Sequence, residues 1–250
     1  MKPPAATKPH PLARLRNRTP ARVALGHAGA GLPTSALLDF QLDHARARDA
    51  VHEPLDPQRL AAQLAPAQSI WVHSQAADRS VYLQRPDLGR KLAAQCVGSL
   101  PRDAYDVVFI LADGLSARAV QVHAAPTLKL ILRTLDGWQV APLIIATQAR
   151  VALGDDIGGY LGAKLAVMLI GERPGLSSAD SLGAYFTFDP RPGRRDHERN
   201  CISNIRPPQG LSYEEAAARA VWLLRAARRV GHTGVLLKED SAIIQPQVHD

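Results

Sequence analysis

Cysteine is nearly absent from this chain of 250 residues: only Cys96 and Cys201 occur, far apart and in no CxxC pair. A disulfide framework and a thiolate zinc site are therefore not indicated, and a reducing intracellular compartment fits best. No apolar run approaches the ~20 residues needed to span a membrane. No apolar segment precedes Ala24 that would make the basic amino terminus a secretory signal. An organellar leader is disfavoured as well, because Pro3, Pro4, Pro9 and Pro11 work against an amphipathic helix. The nine histidines show no HxxxH or HExxH spacing, so no protein-held metal is expected. Aromatic side chains are few, with four Phe and five Tyr, which leaves little for stacking nucleic-acid bases.

Acidic residues are missing from residues 1–38, which hold Lys2, Lys8, Arg14, Arg16, Arg18 and Arg22. The net charge of +7 is concentrated there, leaving 24 basic against 23 acidic residues in the rest. A solvated basic tail on a nearly neutral body is not the footprint of a nucleic-acid groove. The chain is 46% hydrophobic and long enough to bury a substantial core.

Three regions are expected: a flexible basic tail over 1–20, a helical part over 21–100, and an α/β domain over 101–250. In the second, Thr34 or Ser35 can cap a helix with Leu38, Leu42 and Ala45 on one face. Another helix covers Pro57 to Leu64, and a short apolar stretch follows at Ile70-Trp71-Val72. A third helix is predicted from Pro86-Asp87, with Leu88, Leu92, Cys96 and Leu100 on its core stripe.

From Asp106 the pattern changes. Asp106 to Ala112, Trp138 to Ala146 and the run from Ala166 read as strands buried on both faces. A helix over Ser116 to Leu135, kinked by Pro126, and a Gly-rich helix over Asp155 to Gly162 lie between them. Leu182 to Phe188 is one more strand. Such alternation predicts a Rossmann-like, mostly parallel sheet with helices on both faces. The last helix carries a capping box, Ser212 with Glu215, and basic residues Arg225, Arg228 and Arg229 before Gly231.

Three loops hold polar residues that packing does not explain. Asp113-Gly114-Leu115-Ser116 has the strand, turn, helix context of a nucleophile elbow, but Arg118 stands where GxSxG has its last glycine, which favours Ser116 as a helix cap. The stretch from Arg150 through Gly154, Gly158, Gly159 and Gly162 suggests close backbone approach to another group. It is neither a P-loop, since Lys164 comes late and lacks its Ser/Thr, nor a GxGxxG fingerprint, since it precedes a strand. Gly171-Glu172-Arg173-Pro174-Gly175 ends the most apolar strand, at the edge where α/β sheets bind ligands. Downstream, Asp189 to Arg199 reads as a solvated charged loop, and Arg199 to Ile205 as a polar loop carrying Cys201.

Five segments together resemble the small subunit of ethanolamine ammonia-lyase. They are ARVALGHAGAGLPTSALLDFQLDHARARDAV at 21–51, YLQRPDLGRKL at 82–92, ADGLSARAV at 112–120, the stretch 150–176 with its GERPGL, and NCISNI at 200–205. The resemblance covers nearly all of the chain after residue 20. It implies a Rossmann-like cobalamin-binding domain that closes over adenosylcobalamin held with a large subunit, in a hetero-oligomer with equal numbers of both. It implies radical deamination of ethanolamine to acetaldehyde and ammonia, with the catalytic residues on the large subunit. Corrinoid contacts carried across by motif fall on Val151, Glu172 and Cys201. The lack of a DxHxxG motif fits a base-on cofactor that keeps its own lower ligand. A cytoplasmic protein is implied, free or in a bacterial microcompartment. Two other classes stay open on the residues alone: a non-enzymatic Rossmann-type nucleotide-binding module, and a serine hydrolase using Ser116.

Overall fold

A computed structural model describes residues 21–238 together with Leu12, Arg14, Leu15, Arg18 and Thr19. The expected basic tail over 1–20 lies almost wholly outside the described residues.

The core is one six-stranded sheet. Its strands are β1 (Ser69–His73), β2 (Val107–Ala112), β3 (Leu143–Thr147), β4 (Leu165–Gly171), β5 (Leu182–Phe188) and β6 (Arg199–Ile205), in spatial order β1-β3-β2-β4-β5-β6. Every residue of β2 and β4 is buried, as their unbroken apolar runs demand. The pairs β1–β3, β2–β3 and β2–β4 are parallel.

The expectation of a mostly parallel sheet holds only for those four strands. β5 runs antiparallel to β4, with Leu165 opposite Phe188 and Gly171 opposite Leu182, and β6 runs antiparallel to β5, so the sheet is mixed. The reason is the link between β4 and β5. It contains no helix to carry a crossover, so the chain turns back along the strand it has just left. Arg199 to Ile205, read as a loop, is strand β6, with Arg199, Ile202 and Ile205 buried and the residues between them half-buried or exposed.

Helices cover both faces. On one, α2 (Pro57–Leu64), α5 (Ala125–Leu132) and α7 (Tyr213–Val230) pack Leu60, Leu128, Ala220 and Leu224 against Phe109, Leu111 and Val167. On the other, α6 (Leu153–Leu161) lays Leu153, Ile157 and Leu161 against Ile110 and Met168, with Cys96 in the same cluster. The α7 capping box is present: Ser212 accepts from Glu215 N, and the Glu215 carboxylate accepts from Ser212 N.

Residues 21–100 depart further from expectation. The stretch Ile70-Trp71-Val72 is the edge strand β1 of the main sheet, so the sheet begins before the change of pattern near residue 101. Helix α1 (Thr34–His52) forms, but Pro33 occupies the cap position with no side-chain bond, and Ala50 is its one buried residue. Leu38 and Leu42 are 57% and 50% exposed, so the predicted stripe is not packed against the described residues. The helix expected from Pro86 is absent. Pro86 disfavours helical geometry at Arg85, where α3 (Arg79–Gln84) has just ended, and only 3₁₀ turns follow at Leu88–Arg90 and Ala94–Ser99.

Between β2 and α5, the helix opens as α4 (Ala117–Ala119) and widens into a π turn over Val120–Ala124 just before Pro126. The expected kink thus takes the form of a π-bulge, which accommodates a proline lacking its N–H.

Candidate functional site

The carboxyl ends of β2, β3 and β4 open into a cleft of about 390 Å³. Val151 and Glu172 both line it, with Tyr82, Arg150, Tyr185 and Ser203. The floor depends on two glycines. A Cβ on Gly171 would stand 2.0 Å from Ser116 O and 2.6 Å from Asp113 O, and one on Gly114, at φ +54°, would stand 2.2 Å from Gly171 O. The loop after β2 therefore lies directly on the end of β4, and Leu115 N donates to Gly171 O at 2.9 Å.

Glu172 does not form a surface ion pair with Arg173. Its carboxylate accepts from Ser181 Oγ at 2.5 Å, from Asn204 N at 3.2 Å, and from Ser203 Oγ. Three donors from two segments fix it beside Gly183, where an added Cβ would stand 3.0 Å from Glu172 Oε1. Arg173 is exposed and lines the same cleft.

Cys201 lies one strand further out, opposite Tyr185 in the β5–β6 register. The residue as a whole is exposed, yet desolvation of its thiol, followed by the Glu172 charge, holds it above the ordinary thiol range. It is no activated nucleophile. Burial, then Cys201 and Glu172, push the Tyr185 phenol up to about 12. The structure thus puts Val151 and Glu172 in one cleft and Cys201 behind its Tyr185 wall.

The back wall went unread in the sequence. Tyr82 is fully buried, donates to Ala149 O at 3.0 Å, and has two guanidinium groups stacked over its ring, that of Arg79 at 4.8 Å and that of Arg150 at 4.3 Å from the centroid. Burial holds the Tyr82 phenol far above its ordinary range. Arg79 also donates to Val51 O at 2.7 Å and Gly114 O at 2.8 Å. Asp113 is buried and accepts from Gln148 N at 2.8 Å and Ala149 N at 3.0 Å, which sets the path of the chain into Val151. Arg79 and Tyr82 share α3, but Arg150 and Tyr185 come from segments that meet them only in the fold, so no local spacing marks the group.

Two expectations about neighbouring loops change. The glycines of α6 approach this chain itself: a Cβ on Gly158 would stand 2.5 Å from Pro190 Cγ, and one on Gly154 would stand 3.3 Å from Met168 Cε. The segment 189–199 is not wholly solvated either, because Arg199 is buried. Its guanidinium grips Asp155 of α6 at 2.6 and 2.7 Å.

Ser116 is a cap. It is fully buried, accepts from Ala119 N at 3.3 Å and donates to Ala179 O at 2.8 Å, which leaves no exposed hydroxyl for hydrolysis. Among the described residues no group of three or more His, Cys, Asp or Glu can hold a metal ion, and no helix is long and apolar enough to cross a membrane.

Residues 9–238 match the family model described as ethanolamine ammonia-lyase light chain (EutC). The chain is 51% identical over 253 residues to the ethanolamine ammonia-lyase small subunit of Pseudomonas fluorescens (strain Pf0-1), covering 97% of this chain and 92% of that one. It is 51% identical to that of Azotobacter vinelandii, with 94% and 90% covered, and 52% identical to that of Bradyrhizobium diazoefficiens, with 95% and 94% covered. The chain belongs to the ethanolamine ammonia-lyase light chain family.

Proposed function

We propose that this chain is the small subunit of ethanolamine ammonia-lyase, which with a large subunit encloses adenosylcobalamin and supports deamination of ethanolamine to acetaldehyde and ammonia. The observation that carries the reading is the cleft at the end of β4, where the motif residues Val151 and Glu172 converge in a chain of this family.

The donor set suits the rim of a corrin ring, which bears amide side chains. Amides need both donors and acceptors. The Glu172 carboxylate accepts, with Oε1 engaged by Ser203 alone. The N–H groups of Val151 and Ala152 precede α6, where a helix leaves its first donors without internal partners. Cys201 serves as a neutral contact beside Tyr185. No imidazole lines the cleft, so these residues would orient the periphery of the cofactor. When bound, adenosylcobalamin supplies radical chemistry through homolysis of its cobalt–carbon bond, and the protein contributes orientation and exclusion of competing reactions.

A cleft of about 390 Å³ encloses only part of so large a molecule. The remaining enclosure, and the catalytic groups, are assigned to the large subunit, in an assembly of equal numbers of both chains. The setting is cytoplasmic, free or within a microcompartment.

Co-expression with a large subunit tests this reading. A stable complex should form, bind adenosylcobalamin base-on and deaminate ethanolamine, while neither chain alone does so. Failure of the chains to associate, or full activity of the large subunit alone, would overturn it.

A further inference from the structure

Behind the connection that follows Glu172 lies a buried histidine that the cleft does not use. His123 stands on the π turn at Val120–Ala124 and is 3% exposed. Its Nδ1 lies 2.8 Å from Tyr213 Oη, at the start of α7, and its buried Nε2 has no hydrogen-bond partner. Buried polar atoms nearly always find one. Asp180 Oδ2 lies 4.0 Å from Nε2, beyond hydrogen-bond reach, while Asp180 Oδ1 accepts from Arg206 Nε at 2.8 Å. A neutral imidazole facing a carboxylate keeps its one N–H on Nε2 and accepts from the tyrosine at Nδ1. Because a hydroxyl can turn, Tyr213 also suits the charged ring, accepting from Nδ1–H.

Asp180 belongs to the segment 173–181 between β4 and β5. None of residues 173–180 is buried, so hydrogen bonds hold this segment where packing does not. Ser116 Oγ donates to Ala179 O at 2.8 Å, and Arg206 Nη2 to Ser177 O at 2.9 Å. The residue after Asp180 is Ser181, whose Oγ donates to Glu172 Oε2 and whose O accepts from Glu172 N at 2.9 Å. The carboxylate that faces the histidine is thus next in the chain to the hydroxyl that fixes the carboxylate of the cleft.

Few charges bear on His123. Burial opposes its cation most, Asp180 favours it, and Arg206 opposes it. Tyr213 faces it from α7, with the exposed Glu214 beside that tyrosine. Beneath the π turn, β2, β4 and β5 present Phe109, Val167, Leu182 and other apolar side chains. Beyond Asp180, α1 and α4 contribute Asp43, Arg46, Asp49, Glu53 and Arg118 to a cavity of about 420 Å³ that Asp180 and Arg206 also line.

We propose that His123 is a positioning residue for the cleft: taking up a proton, it closes on Asp180, fixes the segment 173–181 and, through Ser181, steadies the carboxylate of Glu172. The inference rests on the reading of that cleft as the site of the corrin rim. The ring gains its proton as pH falls below about 6.5, so corrinoid affinity rises over that range. By linkage, a bound corrinoid raises the proton affinity of His123 by the same factor.

The test compares wild type with His123→Gln, which keeps a donor on a neutral side chain, and with Asp180→Asn, which removes the charge and leaves the ring. Histidine Cε1–H resonances of the full chain are followed by NMR from about pH 8 to about pH 5, that of His123 being the one missing from His123→Gln. Asp180→Asn should lower the His123 midpoint by about one unit. In the complex with the large subunit, hydrogen exchange of 173–181, corrected for its intrinsic pH dependence, should slow about fivefold across that range in wild type and stay level in both variants. Adenosylcobalamin should bind about fivefold more tightly at the acid end in wild type alone. An unchanged midpoint in Asp180→Asn, or an exchange profile that survives in either folded variant, would overturn the latch. A changed exchange profile with the same pH dependence of adenosylcobalamin affinity in wild type and variants would overturn its link to Glu172. If the wild-type complex binds no corrinoid, the reading of the cleft fails instead, and midpoint and exchange still decide the latch.

Discussion

The Arg199–Asp155 pair offers the sharpest test of how the site is held. Its guanidinium donates to Asp155 Oδ1 at 2.6 Å and Oδ2 at 2.7 Å, to Thr187 Oγ1 at 2.8 Å and to Arg194 O at 3.1 Å. Both side chains are only 3% exposed. The pair ties β6, which carries Cys201, to α6, which follows Val151. Removing one member leaves the other charge buried and unpaired, which costs about 3–5 kcal/mol. In a chain of this size, about 2–4 °C of melting temperature is lost per kcal/mol, so Arg199→Met or Asp155→Leu should melt about 6–20 °C lower. The double variant replaces the pair by apolar groups of similar volume, and should fall short of the summed single losses by about 2–3 kcal/mol. Urea unfolding of the full chain, followed by tryptophan fluorescence, gives all four free energies. Single variants within about 1 kcal/mol of wild type, or strictly additive losses, would refute the reasoning.

Other predictions follow from neighbouring features. Gly171→Ala places a methyl 2.0 Å from Ser116 O, and since that neighbour is backbone the loop after β2 must shift; the variant should be recovered poorly and lose corrinoid binding, whereas well-folded, binding-competent protein would contradict the packing described. Ser212→Ala removes the α7 cap and should cost about 1 kcal/mol in urea unfolding, with no change in cofactor affinity. His123 is buried, its Nδ1 2.8 Å from Tyr213 Oη and its Nε2 4.0 Å from Asp180, and burial holds it below the ordinary histidine range. The unfolded chain therefore takes up a proton first as pH falls, so stability is steady above about pH 7 and declines below about 6.5, by at most about 1.4 kcal/mol per pH unit. His123→Phe should flatten that slope in unfolding measured across the range, and an unchanged slope would assign it to other groups.

Much of the sheet is legible from composition alone. β2 and β4 announce themselves because a strand buried on both faces tolerates no polar residue, and α7 because cap, macrodipole and apolar stripe agree. β6 is not legible: its inward residues Ile202 and Ile205 are separated by polar ones that face out, and a bulge breaks the strict alternation. Helix α1 has an apolar stripe that nothing among the described residues covers, so periodicity there does not report burial against them. In the site, Glu172 is marked by the abrupt end of an apolar strand. Tyr82, Arg150 and Tyr185 carry no such mark, since their roles arise from contacts between distant segments.

The central claim is that the fixed carboxylate at the end of β4 holds the corrinoid. It is tested by adenosylcobalamin affinity of the complex carrying Glu172→Gln, which keeps the shape of the side chain and removes its charge, alongside Glu172→Ala. The account predicts weaker binding, by about tenfold for Gln and more for Ala, for the loss of a charged hydrogen-bond acceptor, with the variant chains still folded and associated with the large subunit. Unchanged adenosylcobalamin affinity in both folded variants would contradict it.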